Sequence, residues 1–173
     1  MIIDDVSSRY NVDSKRVFLI GHSNGAVMSH RYACDMAPRV AAIVSLGGGN
    51  WFDEGLCAPS APVSVLVVHG TMDESVNYNG GVAPANGSSY PSAIATVGAW
   101  ATRNGCTGAL APTGLLDVDS GLAGEETRVD AYSGCPTGGA VELWTIENGR
   151  HEPALQPTSA ELFYGFMTAH PKP

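Results

Sequence analysis

Three short, nearly uninterrupted apolar runs constrain this 173-residue chain more than any other feature. They occupy residues 16–21, 40–46 and 63–69, the last being the strongest strand signal in the chain. A strand with one wet face alternates apolar and polar side chains, whereas a strand covered on both faces reads as a continuous apolar stretch, the pattern of a parallel sheet. Between and after these runs lie helix-like segments. Residues 26–36 are rich in good helix formers and stop before Pro38. A second helix is predicted over residues 91–104. A closing one is predicted over 158–169, with Leu162, Phe163, Phe166 and Met167 on one face. Residues 2–10 have apolar positions at helical spacing. Late strands are predicted over 126–132 and 140–146, and a Gly- and Asn-rich loop over 78–89. Residues 105–124 are small-residue-rich and read as an irregular surface excursion. The alternation predicts an α/β fold with a mostly parallel sheet flanked by helices, forming one domain over residues 1–173.

Composition narrows the function classes. Hydrophobic residues make up 44% and charged residues 15%, a globular and not a disordered balance. The formal net charge of −8, with nine basic residues scattered along the chain, argues against nucleic acid and anionic membrane surfaces as partners. Neutral small-molecule or polymer substrates fit better. No apolar run approaches the roughly 18 residues of a membrane span, and residues 1–5 lack the basic and apolar regions of a signal peptide. The cysteines, Cys34, Cys57, Cys106 and Cys135, form no C-x-x-C pair, so no metal site is expected. Their even number, with low charge and abundant glycine, predicts a secreted or periplasmic protein with two disulfides. Four buried thiols in a cytosolic protein are the alternative, and four cysteines allow three connectivities.

The chemistry begins at Gly21-His22-Ser23-Asn24-Gly25, between the first apolar run and its helix. G-x-S-x-G alone is a weak signal; its position between a strand and a helix makes it informative. A tight strand-to-helix turn holds its central residue in a strained conformation with the side chain standing clear of the sheet, and flanking glycines relieve the crowding. The helix start that follows favours a developing negative charge, which makes the Asn24 N–H the expected first oxyanion donor. The plain alternative is Ser23 as a helix cap. His22 reads as a flank of the turn, too close in sequence to reach back as a base.

A serine hydroxyl needs an imidazole to take its proton, and the imidazole needs an acid to orient it. Residues 63–69 run into Thr71-Met72-Asp73-Glu74, and residues 140–146 run into Gly149-Arg150-His151-Glu152. Loops at the carboxyl ends of parallel strands line one crevice, so Ser23, Asp73 and His151 are expected to meet there. Asp73 could instead be a turn-forming residue, with Glu74 and Asp119 as competing acids, and His151 a solvated loop histidine. His69 reads as support for the Asp73 loop, and His30 and His170 as helix-surface residues. Asn50, Trp51 and Tyr78 follow strand ends and are expected either to line a substrate pocket or to cap the sheet.

Taken together, Gly21-His22-Ser23-Asn24-Gly25-Ala26, His69-Gly70-Thr71-Met72-Asp73, Tyr78-Asn79-Gly80-Gly81 and the stretches 12–17, 100–106 and 144–151 resemble the extracellular polyhydroxybutyrate depolymerase and feruloyl/acetylxylan esterase group. The resemblance implies an α/β-hydrolase that cleaves carboxylic esters without a cofactor, with Ser23, Asp73 and His151 as its triad. It also implies disulfides Cys34–Cys57 and Cys106–Cys135. Two departures stand out. The group's Gly-Gly-Gly-His-x-Trp-Pro run is Asn148-Gly149-Arg150-His151-Glu152-Pro153 here, without the Trp. Its members also carry strands ahead of the helix at Ile2, including the loop that gives the second oxyanion N–H. A chain beginning inside that fold is expected to expose a sheet edge that a second copy could cover in a homodimer, or to draw its second donor from residues 47–50. A catalytically impaired hydrolase-fold module for binding or assembly is the non-enzymatic alternative, and peptidase chemistry on the same triad a third reading.

Overall fold

The computed structural model describes residues 2–50, 53–83 and 87–173, with Glu54 described by its backbone alone. Helix α1 (Ile2–Arg9) buries no residue. Strand β1 (Phe18–His22), helix α2 (Asn24–Asp35), strand β2 (Ala42–Leu46) and strand β3 (Ser64–Gly70) follow in alternation. A two-stranded ribbon, β4 (Gly81–Val82) with β5 (Ser89–Tyr90), precedes helix α3 (Ala93–Asn104). Strands β6 (Leu110–Leu116), β7 (Thr127–Tyr132) and β8 (Val141–Ile146) and helix α4 (Ser159–Ala169) complete the order. Among the described residues, six strands form one sheet in the order β1-β2-β3-β8-β7-β6. The first four are parallel, and β7 and β6 add antiparallel.

The apolar runs of β2 and β3 are continuous because each of these strands faces two cores, whereas β1, read in sequence as buried on both faces, is only half-buried. Ile43, Val65, Val67, Val141 and Leu143 point to the side covered by α2 and α3, where Ala33, Val97 and Trp100 meet them. Val44, Leu66, Val68, Trp144 and Ile146 point to the other side, against Phe163 and Phe166 of α4. Truncating a wholly buried member such as Leu66 to Ala costs about 2–5 kcal/mol. Helix α3 is closed at both ends: the Ser92 side chain accepts from the Ala95 N–H, and Gly105 takes the left-handed conformation at φ 76°.

Both disulfides implied by the resemblance are formed, Cys34–Cys57 and Cys106–Cys135. The second staples the open end of the β6–β7 hairpin across 29 residues, which on loop-closure grounds stabilises by about 3–4 kcal/mol.

Two expectations need correction. Residues 105–124 are not wholly irregular, since β6 lies within them. Its Pro112 and Gly114 disguise it in sequence, but they fall at a register shift on an edge strand, where a missing ladder bond is tolerated. His30 is not on the helix surface either. It is wholly buried, with Nδ1 accepting from Trp100 Nε1 at 2.9 Å and Nε2 3.0 Å from Ser45 Oγ.

At the opposite edge, β1 has a strand neighbour on one side only, and Ile20 is 57% exposed. Ile20, Leu46, Leu155, Phe163 and Met167 line an open apolar groove of about 410 Å³ there.

Candidate active site

Ser23 sits between β1 and α2 at φ 56°, ψ −119°, a conformation that non-glycine residues avoid and that survives only where its surroundings enforce it. Two things enforce it. The Ser23 N–H donates to Leu46 O at 2.8 Å, fastening the turn to β2. Gly21 lets the chain double back: a Cβ there would lie 2.2 Å from Gly25 O. Gly48 supports the turn from behind, because a Cβ at that position would meet Ser23 O at 2.8 Å and Ala26 Cβ at 2.7 Å. Gly25, by contrast, has open space where its Cβ would stand, so only one of the two flanking glycines is sterically required.

The Ser23 side chain makes no capping hydrogen bond to α2. It points instead at His151, whose Nε2 lies 3.0 Å from Oγ. His151 Nδ1 lies 2.8 Å from Asp73 Oδ2. A carboxylate oxygen can only accept, so Nδ1 carries the hydrogen and Nε2 presents its lone pair to the serine hydroxyl. The Asp73 side chain is fully buried and that of His151 is largely so. Hydroxyl, imidazole and carboxylate therefore form one line of hydrogen bonds, drawn from the carboxyl ends of β1, β3 and β8.

Asp73 divides its two oxygens between two tasks. Oδ1 accepts from the backbone N–H groups of Ser75 at 2.9 Å and Val76 at 2.7 Å, which is the turn-forming role. Oδ2 faces His151. His69 supports it, as expected: its Nε2 lies 2.7 Å from Val76 O and 3.2 Å from Asp73 Oδ2, so that nitrogen carries a hydrogen. Burial pushes the His69 pKa down against the pull of the Val76 carbonyl and of Asp73. Glu74 takes no part and faces solvent, 3.5 Å from Arg150. Asp119 is held in its own turn by the N–H groups of Gly121 and Ala154.

Tightly packed glycines hold the Asp73 and His151 loops together. A Cβ on Gly70 would lie 2.2 Å from Gly149 O, and one on Gly47 would lie 3.2 Å from His151 Nδ1. The Gly47 N–H donates to Val68 O at 2.9 Å, so it is committed elsewhere and is not an oxyanion donor. Asn24 is the first residue of α2, with its N–H beside Ser23 at the helix start. Asn50 is buried, and its side-chain amide has no hydrogen-bond partner among the described residues. Trp51 lies outside the described residues. Tyr78 needs correction as a pocket-lining residue. It is buried, shares a hydrogen bond with Thr145 Oγ1 at 3.0 Å and sets its ring edge-on to His69. It packs against His69 and Thr145 from within the core.

Sequence reasoning read His22 only as a flank of the turn, but its Nε2 lies 2.7 Å from the backbone oxygen of His151, and the two rings are 4.8 Å apart. No sequence pattern signals this contact, because it depends on where the β8 loop returns. Around the rim, Glu74, Ser75, Arg150, His151 and Glu152 border an open depression.

A mostly parallel sheet flanked by helices, with a strained serine turning the first strand into its helix, defines the α/β-hydrolase-type fold. No protein-family profile matches the chain. Among curated proteins it is 31% identical over 155 residues to feruloyl esterase B of Piromyces equi, covering 86% of this chain and 27% of that one. It is 31% identical over 134 residues to feruloyl esterase C of Emericella nidulans, covering 78% of this chain and 42% of that one. It is also 38% identical over 77 residues to a bifunctional acetylxylan esterase/xylanase of Neocallimastix patriciarum, covering 44% and 11%. The chain thus spans less than half the length of each of these relatives. Among solved structures, an acetyl xylan esterase from Aspergillus awamori superposes with a TM-score of 0.60 at 15% identity, over 96% of this chain and 64% of that one. At that identity the likeness speaks for the fold alone.

Proposed function

We propose that this chain is a serine carboxylic-ester hydrolase in which Ser23 is the nucleophile, His151 the general base and Asp73 the residue that orients it. The observation that carries the reading is the Ser23–His151–Asp73 line of hydrogen bonds, with a serine hydroxyl left uncommitted by its helix. Ser23 Oγ attacks the ester carbonyl as His151 Nε2 takes its proton. The oxygen–carbon bond forms, and the carbonyl π pair moves to oxygen. The resulting oxyanion rests on the Asn24 N–H and the positive end of α2. Collapse expels the alcohol, which receives the proton from His151 and leaves an acyl-serine. Water then loses a proton to the same imidazole and attacks the acyl carbon; the acyl–Oγ bond breaks, Ser23 Oγ takes the proton back from His151 Nε2, and the carboxylic acid leaves. Asp73 holds the correct tautomer and stabilises the imidazolium, and no cofactor enters the scheme.

The named relatives support feruloyl and acetyl esters as substrates. The open rim suits short acyl groups or an exposed polymer ester, including polyhydroxyalkanoate. The two disulfides support an oxidising compartment, secreted or periplasmic.

Hydrolysis of p-nitrophenyl acetate and butyrate by the wild type and by Ser23→Ala, Asp73→Asn and His151→Ala tests the proposal. Asp73→Asn keeps an acceptor for Ser75 and Val76 but imposes the wrong imidazole tautomer, so kcat should fall by about 10⁴. Ser23→Ala should fall at least as far. Unchanged turnover in Ser23→Ala would overturn the assignment, and inactivity of the wild type on all esters would favour a non-catalytic module.

A further inference from the structure

We propose that His22 is a positioning residue: by donating from Nε2 to the backbone oxygen of His151, it sets the distance between the Ser23 hydroxyl and the imidazole. The inference rests on the reading of Ser23 and His151 as nucleophile and base. It starts from an asymmetry in how the loop at residues 147–153 is held. Toward the acid, the loop is tied several times. Asn148 N–H donates to Thr71 Oγ1 at 2.8 Å, Met72 N–H donates to Gly149 O at 2.9 Å, and Thr71 N–H donates to Ile146 O at 3.0 Å. Its base is tied to β7 through Glu147 N–H to Glu126 O at 3.0 Å, and its far end to the Asp119 turn through Ala154. The first three fix the imidazole relative to Asp73, and the last two anchor the ends of the loop.

Toward the nucleophile the picture differs. Among the described residues, the hydrogen bonds from this loop to the β1–α2 turn are the reacting contact itself, His151 Nε2 to Ser23 Oγ, and the bond from His22 at 2.7 Å. A carbonyl oxygen only accepts, so His22 Nε2 carries the hydrogen. Because His22 immediately precedes Ser23, this bond joins the base's own backbone to the residue beside the nucleophile. It spans from β1 to β8, strands that are not neighbours in the sheet. The His22 ring also lies against the His151 ring, 4.8 Å between centroids, which limits tilting of the imidazole. Without His22 the Asp73–His151 bond persists, but among the described residues the reacting contact is then the one direct hydrogen bond between this loop and the β1–α2 turn, and the remaining tie runs indirectly, from Ser23 N–H to Leu46 O and from Gly47 N–H to Val68 O. Reactivity depends steeply on that distance, since misplacement by about 1 Å can cost a hundredfold in rate.

The test compares His22→Leu, His22→Gln and His22→Asn on p-nitrophenyl butyrate, with Ser23→Ala alongside. A Gln amide nitrogen reaches the place of Nε2, whereas an Asn nitrogen reaches only that of Nδ1. His22→Leu should lower kcat about tenfold with little change in KM, the scale of one lost hydrogen bond of ordinary strength. His22→Gln should recover most of the loss, and His22→Asn should not. The downfield proton resonance of His151 Nδ1–H should persist in all three, showing the bond to Asp73 intact. Because His22 is exposed, thermal melting should stay near that of the wild type. If His22→Leu folds poorly, the comparison of the two amide variants still decides the matter. Wild-type kcat in His22→Leu, or a His22→Gln no better than His22→Asn, would overturn the proposal. Full activity in Ser23→Ala would sink the reading of the site itself, and this inference with it.

Discussion

Acidification should destabilise this protein through His30, and the size of the effect can be worked from its surroundings. The ring is wholly buried between α2, β2 and α3, and burial, aided by the nearby Arg103 charge, pushes its pKa down to about 3. Its hydrogen bonds also need the neutral form. Nδ1 must keep its lone pair to accept from Trp100 Nε1, leaving Nε2–H for Ser45 Oγ, which in turn donates to Gly48 O at 3.1 Å. In the unfolded chain the same histidine titrates near 6.5. Between about pH 6.5 and 3 the unfolded chain therefore binds a proton that the folded one refuses. Stability is intact above that window and falls as pH drops through it, by about 1.4 kcal/mol per unit. At pH 5 the loss attributable to His30 is about 2 kcal/mol. His30→Gln removes the titration while keeping one acceptor and one donor. Urea unfolding of both proteins at pH 7 and pH 5 isolates the term, because His69 and His170, whose pKa values burial also lowers, contribute to both. The wild type should lose about 2 kcal/mol more than the variant between the two pH values. Equal losses would refute the reasoning.

Two further predictions follow from the packing around the site. Gly21→Ala should abolish activity and lower stability by several kcal/mol, because its methyl group would collide with the Gly25 carbonyl; Gly25→Ala, with open space, should change the melting temperature little or raise it. Tyr78→Phe should cost about 1 kcal/mol in urea unfolding through the lost bond to Thr145, with KM for p-nitrophenyl esters unchanged. A raised KM would restore Tyr78 to the substrate-binding surface.

Strands β2 and β3 were legible because burial on both faces writes itself into sequence as unbroken apolar runs; β1 carries the same signature although it is only half-buried, and β8 was legible as a late strand. Ser23, Asp73 and His151 were legible as positions, each just past a predicted strand. Strand β6 was not, since an edge strand can be half-exposed and can carry a proline and a glycine. His30 could have been found. Ala26, His30 and Ala33 share a helical stripe, and all three are buried, so the spacing assigns the histidine to the core despite its polarity. Two contacts had no local signature: the unequal use of the two Asp73 oxygens, and the bond from His22. Both arise only when loops from strands distant in sequence return to one crevice.

The most direct test of the central claim is intact-protein mass spectrometry after treatment with a fluorophosphonate, followed by peptide mapping. An activated serine should be phosphonylated once, with the added mass on the peptide containing Ser23, and His151→Ala should suppress the labelling. No adduct, or an adduct on another residue, would contradict the account.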